Sequence, residues 1–123
     1  MKKKILVTGS RGVLGSSFKK KSFINRLKKK YIFYFSDSSK CDLRNYNKTI
    51  EYVKKIKPEF IINLAAVSGG IGLSSKYQAT LLRDNLFKNL NILEAARIAN
   101  VKKILMTLTT GAYPKNLKLS YKE

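Results

Sequence analysis

Four short apolar runs recur along the chain, and longer segments with apolar residues set among lysines separate them. Short runs rich in β-branched and aromatic residues are typical of buried β-strands. The pattern therefore predicts strands over Lys4–Thr8, Tyr31–Phe35, Phe60–Leu64 and Lys103–Thr107.

The separating segments carry apolar residues three or four positions apart, which is the period of an amphipathic helix. We expect helices from Val13 to about Lys29, from Arg44 to Ile56 and from Gln78 to Ala99. The apolar faces expected in the second and third helices are Tyr46, Ile50, Val53 and Ile56, and Leu82, Leu86, Leu93 and Ala96.

Local signals refine these boundaries. Asp42 is a suitable N-cap for the second helix, and Pro58 should end it because proline lacks the N–H that continues a helix. Residues 36–41 and the Gly/Ser-rich residues 67–76 are predicted to be loops.

Strands and helices thus alternate along the chain. This order predicts an α/β fold, a Rossmann-type parallel sheet with helices on both faces. We expect residues 1–123 to form one domain with about four strands in the order 3-2-1-4.

A glycine-rich loop, Thr8–Gly15, joins the first strand to the first helix with the spacing G-x-x-G-x-x-G. Glycines at such a junction allow a tight turn, a close approach of the backbone to a pyrophosphate, and close packing of helix on strand. The free N–H groups at the start of the helix favour phosphate. The loop predicts a dinucleotide site.

The choice of dinucleotide stays open from these residues. Asp37, after the second strand, is a candidate for the ribose diol of NAD. Arg11, inside the loop, and Lys40 are candidates for the 2′-phosphate of NADP, and Arg11 carries more weight because arginine is rarer than lysine in this chain.

Composition narrows the chemistry. The formal net charge is +19, and a strong positive charge attracts polyanions. The alternative explanation is codon bias, because 41 of the 123 residues are Lys, Ile or Asn, which all have AT-rich codons. The lysines are also not concentrated in one segment. The chain has no His and one Cys, Cys41, so we expect no metal site and no internal disulfide. No apolar run is long enough for a membrane helix, and a cytoplasmic protein is expected.

With these pieces together, the chain resembles the extended short-chain dehydrogenases/reductases of the NAD-dependent epimerase/dehydratase family, most closely the GDP-L-fucose synthases. The segments Ser68–Ile71 and Tyr113–Lys115 are the ones that indicate the GDP-L-fucose synthases within this family. The matching segments are Thr8–Gly15, Asp42–Leu43, Lys57–Ala66, Ser68–Ile71, Asn85, Val101–Lys103, Ala112–Lys115 and Glu123.

The resemblance implies that residues 1–123 are a single, incomplete NAD(P)-binding domain, truncated after about four strands, and that the C-terminal substrate domain is absent. It also implies NADP(H) as cofactor, with NAD as the alternative, and a GDP-sugar as substrate of a complete enzyme. Within it, Arg11 lies near the 2′-phosphate, Asp42–Leu43 near the adenine and Ala65–Ala66 near the ribose. The cofactor-binding residues implied are Gly9, Ser10, Arg11, Gly12, Val13, Leu14, Gly15, Asp42, Leu43, Leu64, Ala65, Ala66 and Asn85.

The catalytic residues depart from the family pattern. Thr109 stands where the family has its serine, and Gly111 stands where it has a cysteine used in epimerisation. No tyrosine is followed four residues later by lysine, so the family's Tyr-x-x-x-Lys proton donor is missing from these 123 residues. We therefore expect the cofactor-binding portion of a GDP-4-keto-6-deoxy-hexose epimerase/reductase, inactive alone.

Two alternatives are a non-catalytic dinucleotide-binding module and a basic nucleic-acid-binding protein. The expected partners are a homodimer copy packed through the helix at 78–99, or a polypeptide that supplies the missing C-terminal part. Neither a nucleic acid nor a membrane is expected as a partner.

Overall fold

A computed structural model describes residues 1–108, leaving aside the side chains of residues 21–23. The strands are β1 (Lys3–Thr8), β2 (Tyr31–Phe35), β3 (Phe60–Asn63) and β4 (Lys103–Met106). The helices are α1 (Val13–Phe18), α2 (Lys21–Leu27), α3 (Tyr46–Ile56), α4 (Ile71–Lys76) and α5 (Gln78–Ile98).

All four strands are parallel and form one sheet in the order β2-β1-β3-β4. The Rossmann-type fold is confirmed, but the predicted order 3-2-1-4 is wrong, because β3 pairs with β1 and not with β2. The reason is the path of α3, which packs over Leu6 of β1 and so carries the chain across β1 to its other edge. Right-handed crossovers in opposite directions place their helices on opposite faces of the sheet.

The face under α3 and α5 holds the main core. Leu6 and Ile61 are register partners in β1 and β3, and both pack against Val53 of α3 and Ile92 of α5. Each of these side chains is at most 1% exposed. Alternation along each strand sends Val7, Ile62 and Leu105 to the opposite face.

That opposite face is only partly covered. Leu14 and Phe18 of α1 line an apolar cavity of about 480 Å³ together with Ile62 and Leu105 of the sheet. Leu105 remains 54% exposed. The sheet thus has helices on both faces, as predicted, with unequal coverage.

The first predicted helix is interrupted. α1 ends at Phe18, and Lys20 adopts an extended backbone (φ −56°, ψ 130°) before α2 begins. Two adjacent lysines, Lys19 and Lys20, stand at the break, and Lys19 Nζ lies 5.7 Å from the centre of the Phe35 ring of β2.

Two further boundaries differ from prediction. The N-cap of α3 is Asn45, whose side chain accepts from the Lys48 backbone N–H, and not Asp42, whose carboxylate is engaged by Arg44. Residues 71–76 of the predicted loop form α4. The end of α3 before Pro58 is confirmed, with Lys57 in the left-handed region as C-cap (φ 51°).

The predicted faces of the helices need correction. In α3, Val53 and Ile56 are buried as expected, but Tyr46 is 48% exposed. In α5, Leu82, Leu86 and Leu93 point to solvent, and of the predicted face only Ala96 is buried. The buried face of α5 consists of Asp84, Asn91, Ile92, Ala95 and Ala96.

Polar anchors explain this rotation of α5. Asn91 Nδ2 donates to the backbone oxygens of Leu43 and Arg44, and Asp84 accepts from Arg44. Leaving a buried polar side chain without its hydrogen bonds would cost free energy. The orientation of α5 keeps these hydrogen bonds and leaves a few leucines exposed. Across residues 1–108, none of the helices combines the length and the apolar character that a membrane span requires.

Candidate functional site

A cleft of about 300 Å³ opens at the carboxyl edge of the sheet, beside the ends of β1, β2 and β3. The chain leaves β1 towards β2 on one side and reaches β3 on the other, and such a reversal is where open α/β sheets bind ligands. The cleft is lined by Thr8, Gly9, Arg11, Gly12, Ser36, Asp37, Ser38, Cys41, Asp42, Leu43, Ala65, Ala66 and Lys88.

The glycine loop forms the floor of the cleft. Gly9 has a positive φ of 67°, and a Cβ there would lie 2.5 Å from the carbonyl carbon of Leu64. A Cβ on Gly15 would lie 2.6 Å from Ser10 Cα. The loop therefore packs directly on the end of β3 and on the start of α1, and neither position has room for a side chain.

Hydrogen bonds fix the loop to the neighbouring strand. The Ser10 N–H donates to Ser36 O (2.9 Å), and the Ser36 N–H donates to Val7 O (2.9 Å). The Gly12 N–H donates to Gly9 O (3.0 Å), which closes the turn before α1. Ser10 is buried, and its Oγ has no hydrogen-bond partner among the described residues.

One side of the cleft carries an acid and an arginine. Asp37 Oδ2 lies 3.6 Å from Arg11 Nε, and Arg11 Nη2 donates to Ser38 Oγ (3.3 Å). Hydrogen bonds from the Ser39 hydroxyl and backbone N–H, together with the Arg11 charge, lower the pKa of Asp37. A full negative charge therefore lies beside a cation at the end of β2.

The opposite side carries a tighter network. Arg44 donates to both carboxylate oxygens of Asp42, with Nη2 2.7 Å from Oδ2, and its Nη1 lies 3.0 Å from Asp84 Oδ2. Arg83 donates to the other oxygen of Asp84. The hydrogen bonds from Arg44 lower the pKa of Asp42 to about 2. The network ties the Asp42–Leu43 wall of the cleft to α5.

Sequence comparison identifies the family of the chain. A family model described as the NAD dependent epimerase/dehydratase family matches residues 5–123. The chain belongs to this family. The resemblance seen in the sequence is confirmed.

Relatives and solved structures agree with this assignment. GDP-L-fucose synthase of Dictyostelium discoideum is 35% identical over 114 residues, covering 92% of this chain and 35% of the relative. GDP-L-colitose synthase of Yersinia pseudotuberculosis is 33% identical over 113 residues, with 92% and 35% coverage. A crystal structure of a GDP-L-fucose synthetase from Naegleria fowleri bound to NADP has a TM-score of 0.82 and 27% identity, covering 98% of this chain and 35% of that one.

The chain thus spans about a third of the length of the curated relatives that it matches (35%). The part matched contains the strands, the glycine loop and the cleft.

The structure brings together part of the predicted cofactor-binding set. The predicted residues that line the cleft are Gly9, Arg11, Gly12, Asp42, Leu43, Ala65 and Ala66. Asn85 lies elsewhere, where its side chain accepts from the Val67 N–H (2.7 Å) and donates to Val67 O (2.9 Å). It positions the chain that follows Ala65 and Ala66.

Five other predicted residues lie outside the cleft lining. Gly15 and Ser10 belong to the glycine loop but are buried, and Val13 is 86% exposed. Leu14 and Leu64 line the apolar cavity on the other face of the sheet. Contacts of these five residues with a cofactor stay predictions. The two predicted departures from the family's catalytic residues, Thr109 and Gly111, lie outside the described residues.

Four residues that line the cleft were not predicted as site residues: Ser36, Ser38, Cys41 and Lys88. Lys88 lies on α5, and burial together with the Arg44 charge lowers its pKa. Cys41 lies in the wall before Asp42, and burial raises the pKa of its thiol. Cys41 directly precedes the predicted site residue Asp42, so its place in the cleft could have been predicted. The place of Lys88 depends on which face of α5 is buried, and no local sequence signal shows that.

Proposed function

We propose that this chain is the NADP(H)-binding portion of a nucleotide-sugar epimerase/reductase similar to GDP-L-fucose synthase. The observation that carries the proposal is the cleft at the carboxyl edge, where the glycine loop, Asp42–Leu43 and Ala65–Ala66 meet although they are far apart in sequence. The substrate class proposed for a complete enzyme is a GDP-4-keto-6-deoxy-hexose, as the sequence resemblance implies; the relatives are named as synthases of GDP-L-fucose and GDP-L-colitose.

The residues present fit a dinucleotide. The backbone of Gly9 and Gly12 faces the cleft without side chains, which leaves room for a pyrophosphate. Arg11, which is 65% exposed, is free to turn towards a 2′-phosphate. Ala65 and Ala66 present small apolar surfaces to a ribose, and Asp42 and Leu43 border the space for an adenine.

When bound, the nicotinamide supplies hydride to the ketone of the sugar, and an acid must then protonate the developing alkoxide. The Thr109 hydroxyl can hydrogen-bond a substrate oxygen, but it replaces the family's serine, and no Tyr-x-x-x-Lys pair occurs in residues 1–123. We therefore propose that this chain binds and orients the cofactor and that reduction needs a further polypeptide segment carrying the proton donor.

A second candidate is a non-catalytic dinucleotide-binding module, for which the cleft offers the same binding groups. The two candidates agree on cofactor binding and differ on turnover. NADPH oxidation with a GDP-4-keto-6-deoxy-hexose, by this chain combined with the C-terminal two thirds of a related enzyme, supports the first. Binding without turnover in that mixture supports the second.

We further propose that α5 pairs with a second copy or with a complementing polypeptide. Its exposed face carries Leu82, Leu86, Phe87, Leu90 and Leu93, each at least 41% exposed. A contiguous apolar face of this kind is typical of an interface. Sedimentation velocity should show a dimer that Leu86→Lys converts to a monomer; a wild-type chain that stays monomeric at high concentration contradicts the homodimer.

The test of the main proposal is equilibrium binding of NADPH to the 123-residue chain. Gly12→Asp introduces a carboxylate beside the pyrophosphate space and should weaken binding by at least about tenfold. Asn100→Asp is the matched control, because it adds the same charge after α5, at the opposite edge of the sheet, and should leave the affinity unchanged. Equal affinities for all three proteins would place the cofactor elsewhere and overturn the proposal.

A further inference from the structure

The edge of the sheet opposite the cleft, where the parallel strands begin, collects lysines from separate parts of the chain. Backbone hydrogen bonds connect the strand starts in a row. The Lys3 N–H donates to Lys30 O (3.0 Å), the Glu59 N–H donates to Lys4 O (2.9 Å), and the Lys102 N–H donates to Glu59 O (2.9 Å). The exposed lysines at this amino edge are Lys2, Lys3, Lys29, Lys30, Lys57, Lys102 and Lys103. The fold therefore concentrates positive charge that the sequence spreads over four segments.

Part of this edge is concave. A cavity of about 430 Å³, the basic groove, is lined by Met1, Lys2, Lys3, Lys29, Lys30 and Tyr31. A second cavity at the same edge, of about 460 Å³, has Lys54, Lys57 and Lys102 in its lining. Among the described residues that line the two cavities, Glu59 is the single acid, and it lies in the second.

The ion pairs do not neutralise the basic groove. In the part of the chain that the structure describes, arginines pair with the acids of the cleft and of α5. The ion pair at the amino edge joins Lys102 Nζ to Glu59 Oε2 (2.7 Å). None of the four lysines of the basic groove forms an ion pair with a described residue. A cluster of like charges in a concave surface attracts polyanions.

Aromatic rings accompany these lysines. Tyr31 is half-buried and lines the basic groove, and its ring centre lies 6.4 Å from that of Phe60. Lys3 Nζ lies 5.9 Å from the centre of the Phe60 ring. Proteins hold single-stranded nucleic acids with this combination, in which cations contact phosphates and bases stack on aromatic rings. A flat anionic membrane would reach only the rim of a concave groove, so the shape favours a flexible chain.

We propose that the basic groove binds single-stranded nucleic acid through the phosphate backbone, with Tyr31 as a stacking surface for a base. This proposal departs from the expectation, drawn from the sequence, that no nucleic acid is a partner. The reason is that only the fold brings these lysines together. The groove lies at the edge opposite the cleft, so the inference does not rest on the proposed function.

The experiment measures binding of a fluorescein-labelled oligouridylate of about 20 nucleotides to the 123-residue chain by fluorescence anisotropy, between about 50 and 200 mM salt. Lys29→Gln combined with Lys30→Gln removes two charges of the groove. This double variant should weaken binding at least about tenfold at the lowest salt. It should also reduce the slope of log K against log salt by about 1.4, because each phosphate contact contributes about 0.7.

The matched control is Lys48→Gln combined with Lys76→Gln, which removes the same net charge elsewhere. Lys48 lines a cavity with Ser38 and Asp42, beyond the carboxyl end of β2, and Lys76 lies at the end of α4. All four substituted lysines are exposed, so both double variants should keep the wild-type circular dichroism. The control should bind the oligouridylate within about twofold of wild type. Equal losses in the two double variants would assign the binding to net charge and overturn the proposal.

A third variant tests the stacking surface. Tyr31→Leu keeps an apolar side chain and should weaken oligouridylate binding at least about fivefold, because a base loses its aromatic partner. It should leave binding of inorganic polyphosphate, which has no bases, unchanged. Oligouridylate binding that is the same in Tyr31→Leu as in wild type would mean that the groove recognises phosphate alone, and would overturn the assignment to nucleic acid.

Two further measurements can each overturn the proposal. Saturating NADPH should not displace the oligouridylate, and displacement would place the nucleic acid in the cleft. Phosphatidylserine vesicles should bind more weakly than the oligouridylate, and tighter binding to vesicles that is lost in the Lys29→Gln and Lys30→Gln double variant would assign the groove to a membrane. NADPH affinity is a separate readout, so a failure of nucleic acid binding leaves the proposed function as it stands.

Discussion

The two faces of the sheet are built from similar residues but are closed to very different degrees. On the α3–α5 face, Leu6, Ile61 and Ile92 are at most 1% exposed. On the α1 face, Leu14 is 58% and Leu105 is 54% exposed. Apolar character is the same on both sides, so it is coverage by helices that decides what each position contributes to stability.

The cleft is connected to both faces of the sheet. Its Asp42–Arg44 wall is tied to α5 on the covered face through Asp84. Its glycine loop leads into α1, on the open face. Its stability should therefore respond differently to substitutions on each side.

The largest difference is expected between paired core truncations. Ile92→Ala should lower the free energy of unfolding by about 2–5 kcal/mol, because it opens a cavity in a fully buried site. Leu105→Ala, on the open face, should cost less than about 1 kcal/mol. Urea denaturation measures both, with Ile92→Val as a milder variant; equal losses would show that the two faces are equally closed.

A smaller effect is expected in the glycine loop. Gly15→Ala places a Cβ 2.6 Å from Ser10 Cα, so the loop must shift, and we expect a loss of about 1–3 kcal/mol together with weaker NADPH binding. The matched control is Gly72→Ala in α4, where a Cβ has nothing within 4 Å. The control should be neutral or stabilising by up to about 1 kcal/mol. Retained stability and affinity in Gly15→Ala would contradict the tight packing of the loop.

The smallest effect is expected in the dependence of the free energy of unfolding on acid pH. The folded-state pKa of Asp42 is lowered from 3.8 to about 2, so its contribution is present above about pH 4 and is lost as pH falls towards 2. The side chain is 36% exposed, and solvent screening limits the contribution to about 1 kcal/mol. Asp42→Asn should flatten this acid-dependent loss, measured by urea denaturation at about pH 5 and pH 2.5.

Glu51→Gln serves as the control for that measurement, because Glu51 has no ion pair among the described residues. It should keep the wild-type pH dependence. An unchanged slope in Asp42→Asn would mean that the Arg44 network adds no stability between these pH values.

Most strands could be predicted because their signal is local. The run Tyr31–Phe35 forms β2 with the predicted bounds, and the end of α3 agrees with the position of Pro58. The interruption after Phe18 could not be placed, because it depends on whether a lysine-rich turn finds contacts on the sheet. The Asn45 cap was missed because Asp42 is an equally good N-cap until Arg44 engages its carboxylate.

The sequence by itself determined the alternation of strands and helices and the glycine loop, since both depend on residue types a few positions apart. It also placed Asp37 and Arg11 at the ends of the elements that border the cleft. Tertiary structure decided the strand order, the buried face of α5 and the pairing of Arg11 with Asp37. These depend on contacts between segments that are distant along the chain, where hydrogen bonds of buried polar groups outweigh the local apolar pattern.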